Sequence, residues 1–229
     1  MSALQAMLAW FNDPLNWTNP DGILVRLREH LFITVLAVFF GALVAWPVGV
    51  WLGRRGSASG LIVVISNVTL AVPVTAMLTI LPLTFIGFGK PAVVVALAIF
   101  AIPPLLANAY TGVHEIDPEV RESARGMGLS EWQALTRVEL PLAVPYLATG
   151  LRIAVVQVIA TAALASFVNG GGLGQIIAAG FGALPPEKGY GQVLAGAVLI
   201  TALALLIDAL MALAQRKLTP ANLRNAARK

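Results

Sequence analysis

An all-α, polytopic membrane protein with five transmembrane helices is the fold class this sequence predicts, and three observations carry the prediction. Of 229 residues, 58% are hydrophobic and only 11% are charged, against about 25% charged in an ordinary soluble domain. The apolar residues fall in runs of bilayer length, roughly 20 residues each. The basic residues gather between alternate runs instead of spreading along the chain. An apolar surplus of this size exceeds what one globular core can hide, so the bilayer is the expected solvent and lipid the first expected contact.

Leu31 to Gly53 is the first span and holds no charge. Arg55 to Lys90 encloses a second charge-free run, too long for one simple helix and interrupted by Pro73 and Pro82. It divides into a helix from Ser59 to about Ile80 and an external turn over Pro82–Gly89. Pro91 to Val113 is the third span, with a kink expected at Pro103-Pro104. Leu142 to Val168 and Gly191 to Ala214 are the fourth and fifth. The first 30 residues are not a span. Leu4, Met7, Leu8 and Phe11 recur at helical spacing, with Trp10 and Trp17 nearby, as in a short interfacial helix; a frayed tail is the alternative.

Lys and Arg in the flanks orient the spans. One set of flanks holds Arg54, Arg55, Arg121, Arg125, Arg137, Arg216, Lys217, Arg224, Arg228 and Lys229; the other holds Arg26, Arg28, Lys90 and Lys188. The richer set is expected in the cytoplasm, with the N-terminus outside and the C-terminus inside. The expected division is an external or interfacial segment 1–30, a transmembrane domain 31–215 with a cytoplasmic loop 115–141, and a basic tail 216–229. No basic residue precedes Arg26, so a cleaved signal peptide with a positive n-region is not expected. Without Cys the chain has no disulfide, thiolate metal site or Cys nucleophile. No basic stretch is interleaved with aromatics, so a nucleic-acid partner is not expected.

The loop between the third and fourth spans carries the most specific chemistry. Asp117 is a good N-cap with Pro118 at the first helical position, where its missing N–H costs nothing. That helix runs to Gly126 or Met127, and Gly128 suits a left-handed C-cap. Ser130 and Gln133 then form a capping box for a second helix. Trp132, Leu135 and Val138 share a face of it, and Met127 and Leu129 sit at the bend. Apolar groups there could fill a partner's groove while Glu122, Arg125 and Glu131 pair at its rim. The bland alternative is an amphipathic loop on the bilayer surface, held by Arg121, Arg125 and Arg137.

Residues 122–141 read E-S-A-R-G-M-G-L-S-E-W-Q-A-L-T-R-V-E-L-P. This stretch resembles the EAA loop of ATP-binding-cassette importer permeases, Glu-Ala-Ala-x3-Gly-x9-Ile-x-Leu-Pro. Glu122, Ala124, Gly128, Leu140 and Pro141 match in register, while Ser123 replaces Ala and Val138 replaces Ile. In that family the loop is the cytoplasmic contact with the ATPase. The resemblance therefore implies ATPase coupling through Glu122, Ser123, Ala124, Gly128, Leu129, Trp132, Leu140 and Pro141.

Asn169-Gly-Gly-Gly-Leu-Gly174, after the fourth span, resembles the Gly-Gly-Leu-Gly turn of osmoprotectant (glycine betaine, choline, carnitine) and methionine permeases. Ile102–Gly112 with Ile116-Asp-Pro118 looks most like the osmoprotectant branch. The implied assembly pairs this permease with a second copy or paralogue, an ATPase subunit and an extracytoplasmic substrate-binding protein in a prokaryotic plasma membrane. ATP and magnesium are expected on the ATPase, and no cofactor on this chain. Methionine or another amino acid is the alternative solute. Gly170, Gly171, Gly172 and Gly174 also read as a sharp external turn that permits close helix approach.

No Walker-type G-x-x-x-x-G-K-[ST] loop, Ser-His-Asp set or metal-ligand cluster is present, so the chain is not expected to be an enzyme. His30 and His114 are isolated at span ends and read as interfacial residues before metal ligands. Tyr146, Gly150, Gln157, Thr161 and Leu164 share a face of the fourth span. Thr75 and Thr79 share one of the second, with Asn67 near its start. Uncharged polar groups at membrane depth are either helix–helix glue or a solute path. The path reading takes Asn67, Thr75, Thr79, Gln157 and Thr161 as candidates and suits a zwitterion, since no midspan acid would trap its cation. Arg152 and Asp208 lie at matched depth in antiparallel spans and read as a pair; the alternative is that Arg152 snorkels to lipid phosphate and Asp208 meets Arg216 or Lys217. A secondary transporter would need ion-coupling acids at midspan and inverted repeats; Asp208 is the only acid inside a span. A membrane-anchored scaffold would not need a capped, angled loop.

Overall fold

The computed structural model describes residues 2–56, 60, 62, 64, 68–69, 71–183 and 186–218, with 186–188 and 218 by backbone alone. Its regular elements are helical. Two short helices, α1 (Ala3–Phe11) and α2 (Leu15–Thr18), precede the long α3 (Ile23–Arg55). Then come α4 (Val74–Ile80) with a 3₁₀ turn at Leu81–Leu83, and α5 (Lys90–His114). Two short helices follow, α6 (Pro118–Gly126) and α7 (Glu131–Ala134), the latter continued by a π turn at Leu135–Glu139. The chain closes with α8 (Leu140–Thr161), a 3₁₀ stretch at Ala162–Val168, α9 (Gly174–Phe181) and α10 (Pro186–Leu218).

Among the described residues, four helical stretches are long and apolar enough to cross a membrane: Leu15–Arg55, Lys90–His114, Glu131–Val168 and Gly189–Lys217. They coincide with the first, third, fourth and fifth expected spans. Within the helix expected from Ser59 to about Ile80, Ser59, Leu61, Val63, Ile65, Ser66, Asn67 and Leu70 lie outside the described residues; Pro73 is extended, so the helix's far end is the separate, shorter apolar stretch Val74–Leu83. The 25 residues of α5 run unbroken through Pro103 and Pro104. Burial differs sharply between spans. In the most apolar window 61% of Lys90–His114 is buried, against 22% of Gly189–Lys217. The latter leaves Leu205, Leu206, Leu210 and Leu213 exposed, an outer face suited to lipid or another apolar surface and not to water.

One expectation at the N-terminus needs correction. The first long helix begins at Ile23, eight residues before the expected span, because residues 23–30 contribute to a packed core and not to a tail. Ile23 packs with Ile159, Leu173, Ile176, Ile200 and Leu203. Ahead of it α1 is a capped helix: the Ser2 hydroxyl accepts from Gln5 N–H, and the Gln5 side chain accepts from Ser2 N–H at 2.9 Å. Trp10 and Phe11 pack against the same core, while Leu4 and Leu8 face outward.

Packing divides the chain into two compact units. One comprises Met1–Phe40, Val72–Phe100 and Val155–Ile207; the other comprises Gly41–Ala71, Ala101–Ala154 and Asp208–Lys229. Within the second unit helices approach closely. A Cβ at Gly150 would stand 2.7 Å from Asn108 Cβ and 2.9 Å from Pro104 O. Gly150 is thus a helix–helix contact, which supports the packing reading for the Tyr146–Gly150 part of that face.

Candidate functional site

The segment between α5 and α8 folds as its local chemistry dictates. Asp117 Oδ1 accepts from Glu119 N–H at 2.9 Å, and Pro118 opens α6. At its far end Leu129 N–H reaches Ala124 O (3.2 Å) and Gly128 N–H reaches Arg125 O (2.9 Å). These two bonds make a Schellman stop, which requires a left-handed residue at Gly128; its φ is +83°. The Ser130–Gln133 capping box then starts α7 at once. Helix, glycine turn and helix form a bracket of fixed angle.

The bracket presents its chemistry outward. Met127 is 74% and Trp132 72% exposed, large apolar groups that no described residue covers. Glu122 and Ser123 are also exposed, while Ala124 is buried and helps seat α6. Leu135 and Val138 are half-buried within the π turn, so the common face expected with Trp132 is interrupted there. Leu140 is half-buried and Pro141 exposed in the first turn of α8.

An ionic chain that sequence reasoning missed fastens the bracket. Glu139 is 1% exposed. Arg54, in the last turn of α3, donates to it from Nε (3.1 Å) and Nη2 (3.0 Å). Arg54 Nη2 also donates to Glu131 at 2.7 Å, and Arg125 Nε donates to the other Glu131 oxygen at 2.9 Å. Arg121 Nε lies 3.7 Å from Glu139, and Arg121 Nη2 donates to Val113 O at 2.5 Å. Arg125 and Glu131, expected at a partner's rim, therefore pair with each other in this chain. The available signal was an acid one residue before Leu140-Pro141, at the foot of an apolar run, where an unpaired carboxylate would be costly.

A second bracket holds the glycine loop in the first unit. Neighbouring residues of α3 capture two successive backbone N–H groups: Gly172 N–H donates to Glu29 (3.0 Å) and Leu173 N–H to His30 Nδ1 (3.2 Å). His30 Nδ1 thus accepts, so the proton sits on Nε2, which donates to Ile159 O at 2.9 Å. His30 is fully buried, which corrects its reading as an interfacial residue: its ring is enclosed by the loop it holds. Glu29 also binds Lys90 (2.9 Å) and Arg26 (2.8 Å). Gly171 and Gly172 have φ near +84° and +82°, and a Cβ at Gly171 would stand 2.6 Å from Glu29 Oε2. Gly170 and Gly174 are buried beside them. His114 stacks on Tyr110 with ring centroids 5.0 Å apart. Among the described residues no group of three or more His, Cys, Asp or Glu could hold a metal ion.

Arg152 Nε and Nη2 donate to the two oxygens of Asp208 at 2.5 and 2.7 Å, a forked pair between α8 and α10. Gln157 and Thr161 are half-buried on α8. Thr75 and Thr79 are exposed on α4, and the Thr79 hydroxyl donates to Thr75 O at 2.7 Å.

A family model described as "Binding-protein-dependent transport system inner membrane component" matches residues 32–220. The chain belongs to this family. It is a multi-pass membrane component of a bacterial transporter and not an enzyme. Members work with ATPase subunits and binding proteins. The choline transport system permease protein OpuBB of Bacillus subtilis (strain 168) is 39% identical over 206 residues, covering 90% of this chain and 93% of that one. The glycine betaine/carnitine/choline transport system permease protein OpuCB of the same organism is 37% identical over 206 residues, with the same coverage of both chains. Among solved structures, the MetNI methionine ABC transporter in an inward-facing conformation matches with a TM-score of 0.74 and 24% identity. That match covers 86% of this chain and 96% of that chain, and it speaks for the fold.

Proposed function

We propose that this chain is the permease subunit of an ATP-driven importer for osmoprotectants of the glycine betaine, choline and carnitine class. The observation that carries the solute class is the 37–39% identity, over 90% of the chain, to two permeases named for those solutes. The permease has five spans, with the N-terminus outside and the C-terminus in the cytoplasm. The bracket α6–α7 is the coupling element. Met127 and Trp132 enter a groove of the ATPase subunit, and Glu122 meets its rim. A bracket of fixed angle transmits a displacement that a flexible loop would absorb. The chain pairs with a second permease copy or paralogue and receives solute from an extracytoplasmic binding protein. Thr75, Thr79, Gln157, Thr161 and Asn67 contribute uncharged polar groups to the path. Such groups hydrogen-bond a zwitterion without trapping it as a midspan carboxylate would.

Uptake by vesicles containing the full assembly tests this. Labelled glycine betaine, choline or carnitine should accumulate only with ATP and the binding protein, and labelled methionine should not. Methionine uptake without uptake of the quaternary ammonium solutes would overturn the solute class. Copurification without any ATPase subunit would overturn the importer reading.

A further inference from the structure

A cavity of about 360 Å³ in the first unit, outside the coupling bracket and the proposed path, has the composition of a ligand site. Its size falls within the roughly 300–1,000 Å³ of small-molecule pockets. The segment from α1 to the start of α3 supplies Trp10, Asn19, Asp21 and Arg26, while α9 and α10 supply Gln175 and Gln192. We propose that this cavity binds a small zwitterion bearing an ammonium group, as a lipid headgroup or as a free solute.

Charge makes the first argument. Arg26 is ion-paired to both Asp21 and Glu29, and Glu29 is further balanced by Lys90. The lining itself contributes one cation, Arg26, and one anion, Asp21. A lining neutral in sum does not concentrate a simple ion, yet it offers opposite charges to the two ends of a zwitterion. Asp21 is 83% exposed at its side chain, and its pair with Arg26 uses one oxygen, leaving the other open. Trp10 lines the same cavity with a half-buried ring, and an indole face attracts an ammonium group.

Unmet hydrogen bonding makes the second. The side-chain amides of Asn19, Gln175 and Gln192 all line the cavity, and none bonds another described residue. Each can donate two N–H bonds, which a carboxylate or phosphodiester accepts. Gln175 and Gln192 are half-buried, and a ligand in the cavity would lie within reach of both amides. Leu15 lines the cavity and is exposed, and Leu4 and Leu8 are exposed on α1, apolar surface suited to the acyl chains of a bound lipid.

The test uses the complete transporter without its soluble binding protein. In one arm, labelled glycine betaine is titrated onto transporter in phosphatidylglycerol nanodiscs. In the other, mass spectrometry counts phosphatidylethanolamine retained after extraction from mixed membranes. One of the two should bind at about one per chain, weakened roughly tenfold or more by Asp21→Asn and by Gln192→Leu. It should be unchanged in Leu206→Ala, on the exposed face of α10; Gln157→Leu, in the proposed path, tests whether the ligand sits there instead. Saturable betaine binding assigns a free solute; retained phosphatidylethanolamine without betaine binding assigns a lipid. Copurification of the ATPase shows that each variant folds. Binding of neither ligand, or binding indifferent to both cavity variants, overturns the proposal. Binding lost only in Gln157→Leu overturns the cavity and leaves the transport reading standing.

Discussion

Replacing Arg54 with Ala should release the bracket α6–α7, and the structure sets the size of the effect. The substitution strands the Glu139 carboxylate, 1% exposed, with only Arg121 at 3.7 Å to compensate. Breaking a buried pair by removing one partner costs about 3–5 kcal/mol. Arg121 offsets part of this, so the lower end applies, a roughly hundredfold shift in the opening equilibrium. Arg125→Ala is the matched control. Its pair with Glu131 joins side chains 58% and 60% exposed, and such pairs contribute about 0–1 kcal/mol, at most roughly fivefold. Amide hydrogen exchange over residues 127–139 in nanodiscs reads both. Arg54→Ala should accelerate exchange there by about two orders of magnitude, with residues 145–160 unchanged. Glu139→Gln should do less, since the amide oxygen still accepts from Arg54 and no charge is stranded. Equal effects of Arg54→Ala and Arg125→Ala, or no effect of Arg54→Ala, would refute the buried clamp.

Three further outcomes are expected. Gly128→Val should abolish transport while membrane insertion, followed by protease mapping, stays normal, because a β-branched residue resists the φ of +83° found there. Thiols placed at Ser130 and at Phe85, fully exposed in the turn after α4, should react with an impermeant reagent from opposite sides, Ser130 from the cytoplasm and Phe85 from outside; labelling on reversed sides would invert the proposed topology. Arg152→Asp should lower the yield of folded protein, and adding Asp208→Arg should restore part of it, since the forked pair can re-form in reverse; no rescue would assign each charge a separate partner.

What the sequence made legible was set by the range of the chemistry involved. The caps at Asp117, Ser130 and Gly128 are decided by residues within one turn, and the structure forms each where local reasoning places it. The long apolar runs were equally readable, because a span's length is fixed by bilayer thickness and not by neighbours. The missed features bridge distant positions. Glu139 meets Arg54 across 85 residues, and Gly172 meets Glu29 across 143. No periodicity encodes such a meeting. Arg54 and Arg121 had been counted for orientation, a reading that uses their charge but asks nothing of their partners. His30 was misread for the same reason: its place at a span end suggests an interface, and only the returning loop encloses it.

Those ion pairs bear on the orientation argument itself. The orientation rule counts Lys and Arg near the membrane ends and gives Asp and Glu little weight, yet several of the residues counted also serve as partners of buried or shared acids. In the richer set Arg54, Arg121 and Arg125 are tied to Glu131 and Glu139. In the poorer set Arg26 and Lys90 are tied to Glu29. Setting these aside leaves Arg55, Arg137, Arg216 and Lys217 without an ion pair on one side, and Arg28 on the other, among the described side chains. The asymmetry survives, and its source moves. It rests on the ends of α3 and α10 and on Arg137, while most of the bracket's charge is spent on its own architecture. The two roles separate physically. Paired charges fix the angle at which Met127 and Trp132 are presented, and the unpaired ones are left to act on sidedness in the proposed topology. Neutralising Arg216 and Lys217 should therefore disturb topology before coupling, whereas neutralising Arg54 should disturb coupling with topology intact.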